Sequence, residues 1–328
     1  MSNSTNYQQL TRTFQRLSRF SHLSAIASWD MFTMMPPGGS QARGEALAEL
    51  NVLEHQLLTD PKVATWIAGA QQEELNDVEQ ANLREMSRLH HQASLLPESL
   101  VEAKSLAGSR CEHAWRSQRP ANDWEGFAEN LKDVVKYSRE EARLRAEAKG
   151  CSPYDALLDV FEPDMTSARL DVLFADLKGW LPDLLSKVVA KQSRQSLIAP
   201  VGPFPTAVQR ELGLETMAQL GFDFAGGRLD ISAHPFCGGV PEDVRITTRY
   251  DENELLSALF GVIHETGHAR YEQNLPRNWS GQPIALARST AIHESQSLFF
   301  EMQLGRSSAF LTRLITGGEA AFWRSNRL

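Results

Sequence analysis

A mainly α-helical fold with one small β-hairpin is the architecture this sequence predicts, on three observations. Apolar residues recur at three- and four-residue spacing through most of the first two hundred positions. Capping residues, Pro and Gly break those runs into helix-length pieces. Strand-like alternation is convincing in one place only, between Gly226 and Tyr250, directly before an apolar helix.

Composition bounds the function. The 328 residues suffice for one large domain or two ordinary ones, and 42% apolar with 23% charged residues is a soluble globular balance. Apolar runs fall well short of a membrane span. The N-terminal stretch Met1–Phe20 lacks the apolar centre of a secretory signal. Three scattered cysteines, Cys111, Cys151 and Cys237, give neither a disulfide framework nor a cysteine zinc site, so a reducing cytoplasm is expected. A net charge of −8 argues against a nucleic-acid partner.

In chain order, helices are expected over 4–30, 41–58, a short stretch opened by Thr59-Asp60-Pro61, then 73–93 and 97–118. Another begins at Asn122 or Asp123 and stops at Gly150. Thr166 caps a helix over 167–192, and the proline-punctuated Gln192–Pro205 reads as a hinge before helix 206–220. This divides the chain into a helical N-terminal part, 1–192, and a second part, 193–328. Arg228–Pro235 and Asp243–Tyr250 are the expected strands, with Cys237-Gly238-Gly239 as their turn. Asp251 with Glu254 suggests a capping box for helix Leu255–Leu275, and Pro276 its stop.

That helix carries His264-Glu265-Thr266-Gly267-His268, the H-E-x-x-H pattern of zinc peptidases. Residues four apart share a helix face, so His264 and His268 can grip one metal ion while Glu265 serves as general base toward a water it activates. Polar side chains inside so apolar a helix need compensation, which a metal provides. The expected fold class is thus a multi-helix, zincin-like metallopeptidase with a β-hairpin or small sheet beside the active-site helix. The metzincin subclass is excluded, because Tyr271 and Asn274 stand where it needs glycine and histidine. A third ligand is expected from the helix over 287–304, which offers His293, Glu294 and Glu301. His293 and Glu294 project about 100° apart, so one of them faces the metal. A two-His, one-Glu shell favours Glu294, leaving Glu301 as a support behind a ligand or a surface carboxylate.

These motifs and others along the chain resemble the M32 metallocarboxypeptidase family, the carboxypeptidase Taq type. His234-Pro235-Phe236, the stretch Asp243–Thr247 and His293-Glu294-Ser295-Gln296 are similar to its H-P-F, D-x-R-x-T and H-E-S-Q motifs. Trp29-Asp30 and the Tyr154–Thr166 stretch also look like the family. The resemblance implies a mostly helical fold with a deep groove, one divalent metal (usually zinc, with cobalt or manganese also used) and a homodimer. It implies removal of C-terminal residues from peptides with broad specificity. It makes Glu294 the third ligand, and His234 and Arg245 candidates for holding the substrate near its C-terminal end. An arginine fork suits a free carboxylate.

Family chains are longer, and their I-R-x-x-A-D and G-x-x-Q-D-x-H-W motifs do not occur here. The expectation is a complete metal site in an incomplete groove, ending inside a helical segment at Leu328. Two alternatives follow. One is an aminopeptidase of the same metal class, although its G-x-M-E-N pattern is absent. The other is an inactive, metal-binding chain that serves as a binding or assembly module.

Overall fold

The structure, a computed structural model, describes residues 4–196 and 200–317. Helices α1 (Asn6–Thr33), α2 (Ser40–Thr59), α3 (Pro61–Ala70), α4 (Asp77–Ser94), α5 (Glu98–Gln118), α6 (Trp124–Lys149), α7 (Pro153–Phe161) and α8 (Ser167–Gln192) follow one another. Local chemistry sets their ends. Thr5 with Gln8 and Asn76 with Glu79 form capping boxes that satisfy the free N–H groups of α1 and α4. Gly150, at φ 68°, closes α6 in the left-handed region where a side chain is costly. Leu10 and Phe14 of α1 pack on Val63 and Ile67 of α3 and Leu83 and Met86 of α4, forming a core of their own. By contrast α8 buries none of its residues and leaves Phe174, Leu177, Trp180 and Leu184 at the surface.

Helix α9 (Thr206–Gln219) leads into a three-stranded sheet of β1 (Gly227–Ile231), β2 (Cys237–Val240) and β3 (Asp243–Thr248), in the order β1-β3-β2. This corrects the expected hairpin. The tandem glycines are not its turn but lie in β2, which pairs antiparallel with β3 through Val240 and Asp243, while β1 runs parallel to β3. Gly238 and Gly239 are there for want of room. A Cβ on Gly238 would press on the Phe236 ring, and one on Gly239 (φ 89°) would collide with the Asp243 carbonyl. The expected alternation of β3 does hold. Val244 and Ile246 are fully buried, each contributing about 1.5–3 kcal/mol by leaving water.

Helix α10 (Leu255–Gln273) lies between two apolar clusters. Leu255, Leu259 and Ile263 pack against Phe204 and Leu212 and against Phe310 and Leu314 of α12 (Ser308–Gly317). Val262 and Ala269 pack against Leu229, Val244 and Ile246 of the sheet. Its start differs from the expected capping box. Glu254 is itself the cap, accepting from the Leu256 N–H, while Asp251 accepts from the Asn253 N–H. The single helix expected over 287–304 is in fact α11 (Thr290–Leu298) followed by a π-helical segment, Phe299–Gly305. Residues 197–199 of the expected hinge and the final 323–328 lie outside the described residues.

The loop from α10 to α11 is tied to the N-terminal helices by buried polar groups. Gln282 donates to the Thr11 carbonyl, and Asn82, fully buried, donates to Gln282 and Tyr7 and accepts from the Ile284 N–H. Arg288 reaches Glu85 of α4 at 3.0 Å. Burial pushes the Glu85 carboxyl up, but Arg88 and Arg288 outweigh it and hold it below the usual range. The segment that delivers α11 is therefore anchored on the first half of the chain. No helix among the described residues is long and apolar enough to cross a membrane.

Candidate metal centre

His264 and His268 leave α10 on one face, as four-residue spacing requires. Opposite them α11 presents Glu294, whose Oε1 lies 3.4 Å from His264 Nε2 and whose Oε2 lies 3.1 Å from His268 Nε2. The donor atoms of these three residues all fall within 4.8 Å of one another. The spacing argument that left His293 and Glu294 as alternatives resolves into two different positions. Glu294 closes the triangle, whereas His293 stands behind His268 with its Nδ1 2.6 Å from His268 Nδ1. Glu301 is not a free surface carboxylate. Its Oε2 lies 3.0 Å from His264 Nδ1, and its Oε1 accepts from Arg306 at 2.6 Å.

This approach of two helices rests on Gly267, which in the motif is merely the second x. A Cβ there would sit 2.6 Å from the Ser297 Cα and 3.0 Å from the Gln296 carbonyl, both backbone atoms of α11. Only glycine lets α11 come close enough for Glu294 to meet the histidines. Two features of the chain could have hinted at it: Gly267 itself, in the middle of a helix, and small Ser297, which faces it and is fully buried. At the other end of α11, Ser289 caps the helix and donates to Glu162, which also accepts from the Ala291 N–H at 2.9 Å. Glu162 thus ties the Tyr154–Thr166 stretch to the start of the helix that carries Glu294.

The electrostatics suit a cation. Burial, and then the charge of Glu294, push the Glu265 carboxyl up to about 8. Burial, and then His293, push His268 below the ordinary imidazole range, so it is neutral at pH 7 as a ligand must be. Burial raises Glu301, but Arg306 and His264 outweigh it and keep it ionised. Two imidazole nitrogens and a carboxylate oxygen are a donor set for zinc or a similar divalent ion, and a positive charge there draws Glu265 back toward its basic form. The residues present fit the group. Cys237, next to this site, takes no part: burial, then Glu265 and Glu272, keep its thiol protonated.

The expected substrate-holding residues have partners other than the three of this triangle. Arg245 donates from Nε and Nη2 to Asp243 at 2.9 and 2.8 Å and stacks on Trp29, 4.4 Å from the ring centre. His234 is exposed and lines a cavity with Phe32, Glu112, Trp115 and Arg116.

Residues 9–324 match the model of the carboxypeptidase Taq (M32) metallopeptidase family. Thermostable carboxypeptidase 1 of Thermus thermophilus is 37% identical over 96% of this chain and 64% of its own length. Carboxypeptidase 1 of Bacillus subtilis is 34% identical over 91% and 60%. The solved structure of Trypanosoma cruzi metallocarboxypeptidase 1 superposes with a TM-score of 0.85 at 47% identity, covering 94% of this chain and 63% of that one. The chain therefore spans less than two thirds of the length of these relatives. It belongs to the carboxypeptidase Taq (M32) metallopeptidase family.

Proposed function

We propose that this chain is a metal-dependent carboxypeptidase that removes C-terminal residues from peptides with broad specificity. The observation that carries the reading is the triangle of His264, His268 and Glu294 with Glu265 on the same helix turn. A divalent ion bound there, zinc by this reading with cobalt or manganese as substitutes, supplies a Lewis acid that activates a water and polarises the scissile carbonyl. His264, His268 and Glu294 hold the ion. Glu265, buried beside it, accepts the water's proton and passes it to the leaving amine. His234 and Arg245 orient the substrate's C-terminal end. Two of Arg245's N–H groups face Asp243, so it greets a carboxylate with its remaining donors. Residues 1–192 supply one groove wall and 193–328 the chemistry, with peptides and a second copy as partners and the cytoplasm as the working compartment.

The test is Glu265→Gln, which keeps the ligands and removes the base. It is expected to bind zinc as the parent does and to hydrolyse an N-blocked dipeptide about 10²–10⁴-fold more slowly. Undiminished turnover in that variant sinks the assignment. An N-blocked against a C-blocked substrate separates carboxypeptidase from aminopeptidase. The chain spans only 60–64% of its curated relatives' lengths, and zinc binding without hydrolysis of either substrate would favour a metal-holding module instead.

A further inference from the structure

We propose that His293 and Glu272 form a positioning relay that fixes which nitrogen His268 offers to a metal. The relay runs along one side of α10. His268 Nδ1 lies 2.6 Å from His293 Nδ1, and His293 Nε2 lies 2.7 Å from Glu272 Oε1. Tyr271 holds the far ring in place, its centroid 4.6 Å from that of His293. His268 and Glu272 are four residues apart and share a helix face, so one helix turn spaces the two ends of the relay.

Proton counting assigns every position. An ionised carboxylate only accepts, so His293 carries its proton on Nε2 and gives it to Glu272. A cation on His268 Nε2 needs that nitrogen bare, so the Nδ1 of His293 must accept rather than donate. Two bare nitrogens cannot bond at 2.6 Å, so His268 donates from Nδ1. That leaves the Nε2 of His268 without a proton, and this is the nitrogen facing Glu294 at 3.1 Å. With the opposite tautomer His268 would aim an N–H at the ligand position and exclude a cation from it. Glu272, which faces neither a ligand position nor a reacting atom, thus sets the donor two side chains away. His293 and Glu272 are positioning residues, and the proposal rests on the ligand set given above.

Two measurements on the full chain test it. In the metal-free protein, histidine ¹⁵N NMR is expected to show His268 protonated at Nδ1 and bare at Nε2. This reading needs neither a variant nor bound metal, so it stands or falls separately from the metalloenzyme assignment. A wild-type His268 protonated at Nε2 overturns the relay. The second measurement is zinc affinity by competition with a chelator. His293→Phe keeps a stacked ring but no acceptor, and is expected to weaken zinc binding about 10–100-fold, as loss of an orienting partner does. His293→Gln returns an acceptor oxygen and restores most of that loss. Glu272→Ala is expected to weaken binding to a similar degree and to scramble the His268 tautomer. Zinc affinity within about twofold of wild type in both His293→Phe and Glu272→Ala overturns the proposal.

Discussion

One turn apart on the same helix, His264 and His268 are held by opposite chemistry. Behind His264 stands a carboxylate in direct contact, Glu301, itself clamped by Arg306. Behind His268 stands a second imidazole, His293, with its carboxylate, Glu272, one ring further out. Both arrangements occupy the Nδ1 of the ligand ring and turn its Nε2 toward Glu294. Only the first sets a full negative charge against the ligand ring, which strengthens it as a donor. In the second the charge acts through an intervening ring, so orientation is kept and the charge's pull on the metal is weaker. Equal spacing in the H-E-x-x-H pattern therefore does not make equal ligands.

The largest effect on this pair is expected from Gly267→Ala, because the added methyl meets α11 backbone rather than a side chain that could swing aside. Overpacking of this kind costs about 1–3 kcal/mol. It also moves Glu294 and His293 together, so both histidines lose their opposite number. Zinc affinity should fall further than in any variant that removes one support, alongside a lower melting temperature. Wild-type zinc affinity in Gly267→Ala would mean that the two helices are not in the close contact described.

Glu301→Gln addresses the His264 side alone. Glutamine still accepts from Nδ1, so orientation survives and only the charge is lost. The expected loss of zinc affinity is about 10-fold, at the low end for an outer partner, and Glu301→Ala should approach about 100-fold. Combining Glu301→Gln with His293→Phe should multiply the two losses, since they act on different ligands. A combined loss no greater than the larger single one would show that the two supports are not independent, and the contrast between them would collapse.

What the sequence could disclose follows the range of the interactions involved. His264 and His268 were legible because four-residue spacing on a helix is a local fact. Glu294 was legible as one of two candidates, since spacing places a residue on a helix but not that helix against another. Gly267 was legible only as a glycine inside a helix, for the same reason: its value is the absence of a side chain where Ser297 approaches. Gly238 and Gly239 misled in the reverse sense. Tandem glycines usually turn a chain, but here they admit the Phe236 ring and the backbone of β3 to a strand, and only the paired strand reveals that. Glu301 reads in sequence as either a support behind a ligand or a surface carboxylate, and the choice stays open because its partners His264 and Arg306 meet only after the π-helical segment has formed.

The smallest expected effect falls more heavily on one side of the pair and so sharpens the contrast. Glu162 comes from the end of α7 and receives the Ser289 hydroxyl and the Ala291 N–H at the start of α11. A carboxylate at that position satisfies free N–H groups and complements the positive end of the helix. Removing it in Glu162→Ala should cost about 1 kcal/mol of stability. His293 and Glu294 lie within the first turns after that cap, whereas Glu301 lies beyond α11 and keeps its own clamp from Arg306. The loosening should therefore reach His268 through both His293 and Glu294, and His264 through Glu294 alone. Zinc binding is expected to weaken only a few-fold, by less than in His293→Phe. In the metal-free protein the His268 ¹⁵N signals should shift toward mixed tautomers while those of His264, whose Nδ1 support from Glu301 is untouched, shift less. Equal disturbance of both histidines would place the two supports on one mechanical unit and remove the basis for treating them separately.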